Sequence, residues 1–270
     1  MKYIKFEQCE IEIDGQKIMA TDASISASSR SLENRVYGGE LRGQIPKFFK
    51  DQDGATPLSD YTSDSPLDSS LNIRYYLTGK NDHLAQLTGD ISCSGRFCGI
   101  EFSGAYMSSY GVRMEPFSPV LYSADFLIYS GYNKITETGN NSLPITGLAN
   151  TAYSNLTNFD YGNIGMDHAT SIDYYVSCER TPNYVVDREY PEDVTWGRVL
   201  KSLRVEGENI GKFITYTGEH TAELTISNKN ISGSKVGDEL KCKGIVTYQN
   251  LSINTRGVLA GGVEVIQSVR

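Results

Sequence analysis

One pattern occurs twice along this chain, and it constrains the fold more than any other feature. Ser24-Ile25-Ser26 is followed by Ser70-Leu71-Asn72-Ile73, then Gly104-Ala105-Tyr106, then a strand-like stretch from Val120 to Tyr129. Ser171-Ile172-Asp173 is followed in the same order by Ser202-Leu203-Arg204-Val205, Gly244-Ile245-Val246, and Val258 to Ile266. Ser24 and Ser70 stand 46 residues apart, against 31 for Ser171 and Ser202. The difference falls where the first half carries an Asp/Ser/Thr/Pro-rich stretch, Asp51 to Ser65. Loop closure entropy grows slowly with length, so a polar surface insertion of that size leaves two copies of one fold intact.

The residues between these landmarks read as strands. Tyr (18 residues), Thr, Val and Ile suit a pleated, half-buried surface, and Gly (26) and Asn close the turns. Asp14-Gly15 between two partly alternating runs predicts a tight hairpin. Leu71 to Leu77, Cys98 to Phe102, Tyr106 to Glu115, and Val120 to Tyr129 read as strands in the first half. Tyr106, Ser108, Tyr110, Val112 and Met114 are expected on one face. In the second half Ser171 to Cys178, Leu200 to Glu206, Lys212 to Thr217, Thr221 to Ser227, Glu239 to Thr247, Leu251 to Asn254 and Val258 to Ile266 are extended. Arg180 to Val194, with Pro182 and Pro191, reads as irregular. Asn81 to Leu87 predicts one or two helical turns, capped by Asn81 or Asp82 and stopped by Gly89; a second short turn is expected near Lys47 to Lys50. The expected class is mainly β: two tandem antiparallel β-sandwich or barrel modules with one or two short helices and long loops. The first spans 1–135 with an insertion at about 38–69, a linker covers 136–163, and the second spans 164–270.

Charge and cysteine usage narrow the function. The net charge is −8, shared equally between residues 1–135 and 136–270. An acidic chain without a basic run is a poor nucleic-acid binder, because affinity for phosphate comes from Lys and Arg. Five cysteines (Cys9, Cys93, Cys98, Cys178, Cys242), odd in number and irregularly spaced, do not describe a disulfide framework. They are expected to be reduced, mostly buried thiols of a protein made in the cytosol. The N-terminal stretch lacks the apolar core of a Sec-type signal, and no run approaches roughly 18 apolar residues, so no membrane insertion is expected.

No catalytic pattern stands out. His83, His168 and His220 fall outside any HExxH-type arrangement; His220, beside Glu219 and Glu223, is the least ordinary, yet metals need three or four converging ligands. Cys93 or Cys98 as a nucleophile would need a base, and only His83 lies near in sequence. Neither a nucleophile elbow nor a phosphate-binding glycine loop is present. Carboxylate pairs for sugar hydrolysis stay open with 33 acidic residues, and Tyr106 and Tyr110 are candidates for stacking on sugars. The expectation is no catalytic residue, no cofactor and no metal.

Three segments carry a family resemblance: Asp14-Gly15-Gln16-Lys17 with Ala20 to Ala27, Ser70 to Gly79, and Gly104 to Tyr110 through Glu115-Pro116. They resemble structural proteins of tailed bacteriophages, especially those with contractile tails. Val194-Thr195-Trp196-Gly197 through Gly244 to Thr247 is similar to the same kind of module. The resemblance is one of pattern over most of the chain, without a diagnostic short motif. It implies a tail-tube fold, in which small β-sandwiches of neighbouring subunits join into a continuous barrel around a channel. Two modules per chain imply the baseplate-hub type, a trimer with pseudo-sixfold symmetry; a six-copy tube, neck or adaptor ring is the alternative, since this chain has no room for the extra domains of large hubs. The implied partners are further copies of the chain and other tail proteins, tube and baseplate, with genomic DNA passing through unbound. The implied location is the virion tail, assembled in the host cytoplasm. A receptor- or carbohydrate-binding β-sandwich tail protein is the alternative of another class.

Overall fold

The hairpin at Asp14-Gly15 forms where two residues with positive φ are needed. Asp14 has φ 47° and Gly15 φ 76°, the backbone of a two-residue turn whose twist matches the flanking strands. It joins β1 (Cys9–Ile13) to β2 (Gln16–Ser29). A second turn of the same kind, Cys98 (φ 46°) and Gly99 (φ 82°), joins β6 (Ser92–Phe97) to β7 (Ile100–Met114). The computed structural model describes residues 9–29, 35–36, 39–40, 67–76, 82–116, 118, 120–130, 132–134, 166–186, 188, 190–210, 219–224, 240–253 and 255–269. Between the two hairpins lie the short pair β3 (Arg35–Val36) and β4 (Gly39–Glu40), then β5 (Leu67–Tyr76) and a 3-10 helix, His83–Thr88. Beyond them come β8 (Leu121–Ile128), β9 (Tyr132–Lys134), β10 (Met166–Asn183), β11 (Asp193–Ile210), β12 (Glu219–Leu224), β13 (Leu240–Ile253) and β14 (Leu259–Val269).

The protein is mainly β, with all described strands except β3 and β4 in one antiparallel sheet. Its order is β12-β13-β14-β11-β10-β7-β6-β1-β2-β5-β8, with β9 alongside β7. β8 also pairs back onto β7, so β1, β2, β5, β8, β7 and β6 pair in a ring. The sheet as a whole is not closed, because the β10 branch runs away from that ring to β12.

The two halves follow the same strand order. In the first, β2-β5-β8-β7-β6 are neighbours; in the second, β10-β11-β14-β13-β12 are. Ile25, Leu71, Phe126 and Met107 lie in one cross-strand row, and Tyr174, Leu203, Val265 and Val246 lie in the corresponding one. Each row is followed by a β-bulge at the same place, between Met107 and Ser109 and between Val246 and Tyr248. Leu71, Phe126, Met107, Leu203 and Val265 have no exposed surface. Burying each such side chain contributes roughly 1.5–3 kcal/mol. The expected linker at 136–163 lies outside the described residues; strands on either side of it share the sheet.

Several expectations change in detail. The strands expected at Cys98 to Phe102 and Tyr106 to Glu115 are one strand, β7 (Ile100–Met114), with Cys98 in the turn before it. Its bulge at Ser108 moves Met107 onto the buried side with Tyr110, Val112 and Met114, while Tyr106 and Ser108 are half-buried. An inserted residue breaks period two, which is why simple alternation misassigns this face. The region from 180 to 194 is irregular only at its tip, since β10 reaches Asn183 and β11 starts at Asp193. The helix begins with Asp82 as its N-cap. Lys212 to Thr217 and the turn near Lys47 to Lys50 lie outside the described residues.

Candidate functional site

Two structural features stand out: a buried carboxylate under the 3-10 helix and the joint between the two halves. Asp82 is buried, and its carboxylate accepts from the hydroxyls of Tyr75 (2.6 Å) and Tyr110 (2.7 Å), and from the Leu84 amide (3.1 Å). Burial pushes the Asp82 carboxyl above its ordinary pKa, against the three donors, which pull it down. Burial first, and then the neighbouring carboxylate, push Tyr75 and Tyr110 well above the ordinary phenol range. A buried, shifted carboxylate is also an active-site signature. Here its donors come from β5, β7 and the helix it caps, so the arrangement fastens that helix to the strands. Leu84 and Leu87 then pack into the core.

The joint is the antiparallel pairing of β7 with β10, from Met114↔Ile172 to Ser109↔Ser177. Val112 and Met114 are 2% and 6% exposed, with Ile172 and Tyr174 opposite them also buried. At the rim Arg113 pairs with Glu115 (2.6 Å) and stands 3.8 Å from Asp173. These charges are about half exposed, where such pairs contribute about 0–1 kcal/mol.

Arg180 locks the joint from inside. Its side chain has no exposed surface; Nε donates to the Met107 carbonyl (2.9 Å) and Nη2 to the Gly89 carbonyl (2.5 Å). Its guanidinium lies over the Tyr106 ring at 5.7 Å, and Nη1 is 3.8 Å from the Asp90 carboxylate. Two residues earlier, the Cys178 thiol donates to the Thr88 carbonyl (3.3 Å). β10 of the second half therefore holds the end of the helix in the first.

The residues singled out by sequence do not come together. His83 opens the helix, Cys93 lies on β6, Cys98 in the turn after it, His168 on β10, and Glu219, His220 and Glu223 on β12. The side chains of His168 and of the three β12 residues lie outside the described part. The Cys93 thiol is buried, donates to the Ala105 carbonyl (3.3 Å) and is pushed up to about 12, chiefly by burial, which suppresses the thiolate a nucleophile requires. Tyr110 is committed to Asp82 and Tyr106 lies beneath Arg180, so neither ring is laid out for a sugar. Among the described residues, no three His, Cys, Asp or Glu side chains converge as a metal site would require, and no helix is long and apolar enough to cross a membrane. Arg180 gave no sequence signal, and Asp82 signalled only a helix cap. No family model matches the chain, and no curated protein matches its sequence.

Proposed function

We propose that this chain is a structural protein of a contractile bacteriophage tail, a ring component at the baseplate hub or tube end through which genomic DNA passes unbound. The observation that carries the reading is the repeated strand order together with the edge-to-edge joint at β7–β10. A chain holding two like units joined side by side supplies two neighbours of a ring, so three copies make six units. Closing the ring removes the sticky edges that open sheets leave. The net charge of −8 suits a passage that repels phosphate. On this reading the protein is not an enzyme, and its partners are copies of itself and neighbouring tube or baseplate proteins.

Negative-stain electron microscopy tests this on the purified protein at high concentration and again after mixing with virion lysate. Three-lobed or six-lobed rings with an open centre are expected, and a trimeric or hexameric mass separates the hub from a six-copy tube or neck ring. Solitary compact particles in both samples would overturn the proposal. A second reading, a carbohydrate- or receptor-binding tail protein, draws on the exposed Tyr184, Tyr190 and Trp196 around the β10–β11 hairpin tip. Saturable binding on a glycan array, lost in Trp196→Ala, would favour it.

A further inference from the structure

The joint inside the chain predicts the contact between chains. Superposing the two corresponding rows places β13 where β7 stands and β2 where β10 stands. Leu251 then takes the place of Val112, Ile253 that of Met114, Ile25 that of Tyr174, and Ala23 that of Ile172. In the first half the β7 edge is covered by β10 over 109–114. On β13, β12 pairs with Leu240–Ile245, and among the described residues no strand pairs with that edge beyond Ile245. β2 shows the complementary situation: among the described residues β1 pairs with it over Gln16–Ala20, and none pairs with its outer edge over 23–28.

Side-chain exposure marks the same place independently. Leu251 is 39% and Ile253 75% exposed, whereas Val112 and Met114 are buried in the joint. Exposed apolar residues on an open strand edge form a template for another strand. We infer that the β13 edge of one copy pairs antiparallel with the β2 edge of a second copy, in the register Leu251↔Ile25 and Ile253↔Ala23. The row Ile25-Leu71-Phe126-Met107 then continues into Leu251 of the neighbour, as the row of Tyr174 continues into Val112 within one chain. The neighbouring row, Ala23-Ile73-Ala124, continues into Ile253. The contact is head to tail, because each copy offers two different edges, and it propagates until it closes. This deepens the ring reading and rests on it, and the experiment keeps the two apart.

Paired cysteines test the register in the full chain, in a Cys9→Ser/Cys98→Ser background. Adjacent pairs in an antiparallel ladder alternate between wide and narrow, so both Ile25→Cys/Leu251→Cys and Ser24→Cys/Ser252→Cys are made. Mild oxidation is expected to give reducible dimers and higher species for at least one of them, with the link between chains identified by mass spectrometry. Ile25→Cys/Tyr248→Cys, three residues out of register, is expected to stay unlinked. No link in either matched variant, or equal linking of the mismatched one, overturns the pairing. Independently, Leu251→Lys with Ile253→Lys is expected to keep the wild-type circular dichroism and melting curve while weakening self-association at least tenfold in sedimentation. Unchanged association also overturns the pairing. Rings without the matched link would reject this contact and leave the ring reading standing; linked but unclosed chains would do the reverse.

Discussion

Asp82→Ala tests what holds the 3-10 helix to the strands. The substitution removes the acceptor of two buried phenol hydroxyls and the side chain that receives the Leu84 amide. A buried donor left without a partner costs about 1–3 kcal/mol, and loss of an N-cap about 1 kcal/mol. Two hydroxyls and one cap together give roughly 3–7 kcal/mol. Removing the carboxylate also removes the desolvation of its charge, so this sum is an upper bound. The assay is equilibrium urea unfolding at pH 7 followed by circular dichroism. Asp82→Ala is expected to lower the free energy of unfolding by at least about 2 kcal/mol, and the triple variant Asp82→Ala/Tyr75→Phe/Tyr110→Phe to recover part of it, because donors and acceptor then vanish together. A loss below about 1 kcal/mol, or a triple variant no more stable than the single, would refute the reasoning. The pH dependence has a defined sign. Burial raises the folded pKa of Asp82 above its unfolded value of about 3.9, so the folded state binds the proton more tightly. The stability this group contributes is full below the unfolded value and is lost as pH rises through the folded pKa. Asp82→Asn should lack that decline, visible as a difference between its unfolding curve and the wild-type curve over the acidic range.

Two further outcomes follow from the joint and the thiols. Arg180→Leu leaves the Met107 and Gly89 carbonyls without their side-chain donor, and amide hydrogen exchange over 83–90 should quicken at least tenfold while the β11–β14 ladder keeps its protection; equal loosening of both would show that Arg180 acts globally. Cys93 and Cys242, pushed up to about 12 and about 11 mainly by burial, should resist a thiol reagent at pH 8 in the native protein, with the half-buried Cys98 reacting before either; rapid native labelling of Cys93 would contradict its buried placement.

Much of the fold is local enough to read from the chain. Asp14-Gly15 states its turn because few residue pairs accept two positive φ values. Asp82 marks the helix start because a carboxylate satisfies an amide that the helix cannot. The landmarks of the repeat fall on corresponding strands, and Leu71 and Leu203 occupy matching places in the two rows. Other elements are hidden in the sequence. Ser92–Phe97 is too polar to read as a strand, yet it is one because it bridges β1 and β7. Pro182 argues against a strand, but it lies beyond the stretch where β10 meets β7, so only its β11 side needs pairing. The bulge at Ser108 moves Met107 into the core, which no alternation rule anticipates.

By itself, then, the sequence determined the β class, the Asp14-Gly15 turn, the helix cap and the repeated order, each of them written in short stretches of the chain. Only the tertiary structure decided that β7 receives β10, that Arg180 reaches back some ninety residues to Gly89, and that Leu251 and Ile253 stay exposed where Val112 and Met114 are covered. The physical reason is that periodicity fixes which way side chains point. Which edges meet is fixed by backbone hydrogen bonds between strands distant in sequence, and those bonds are nearly blind to residue type.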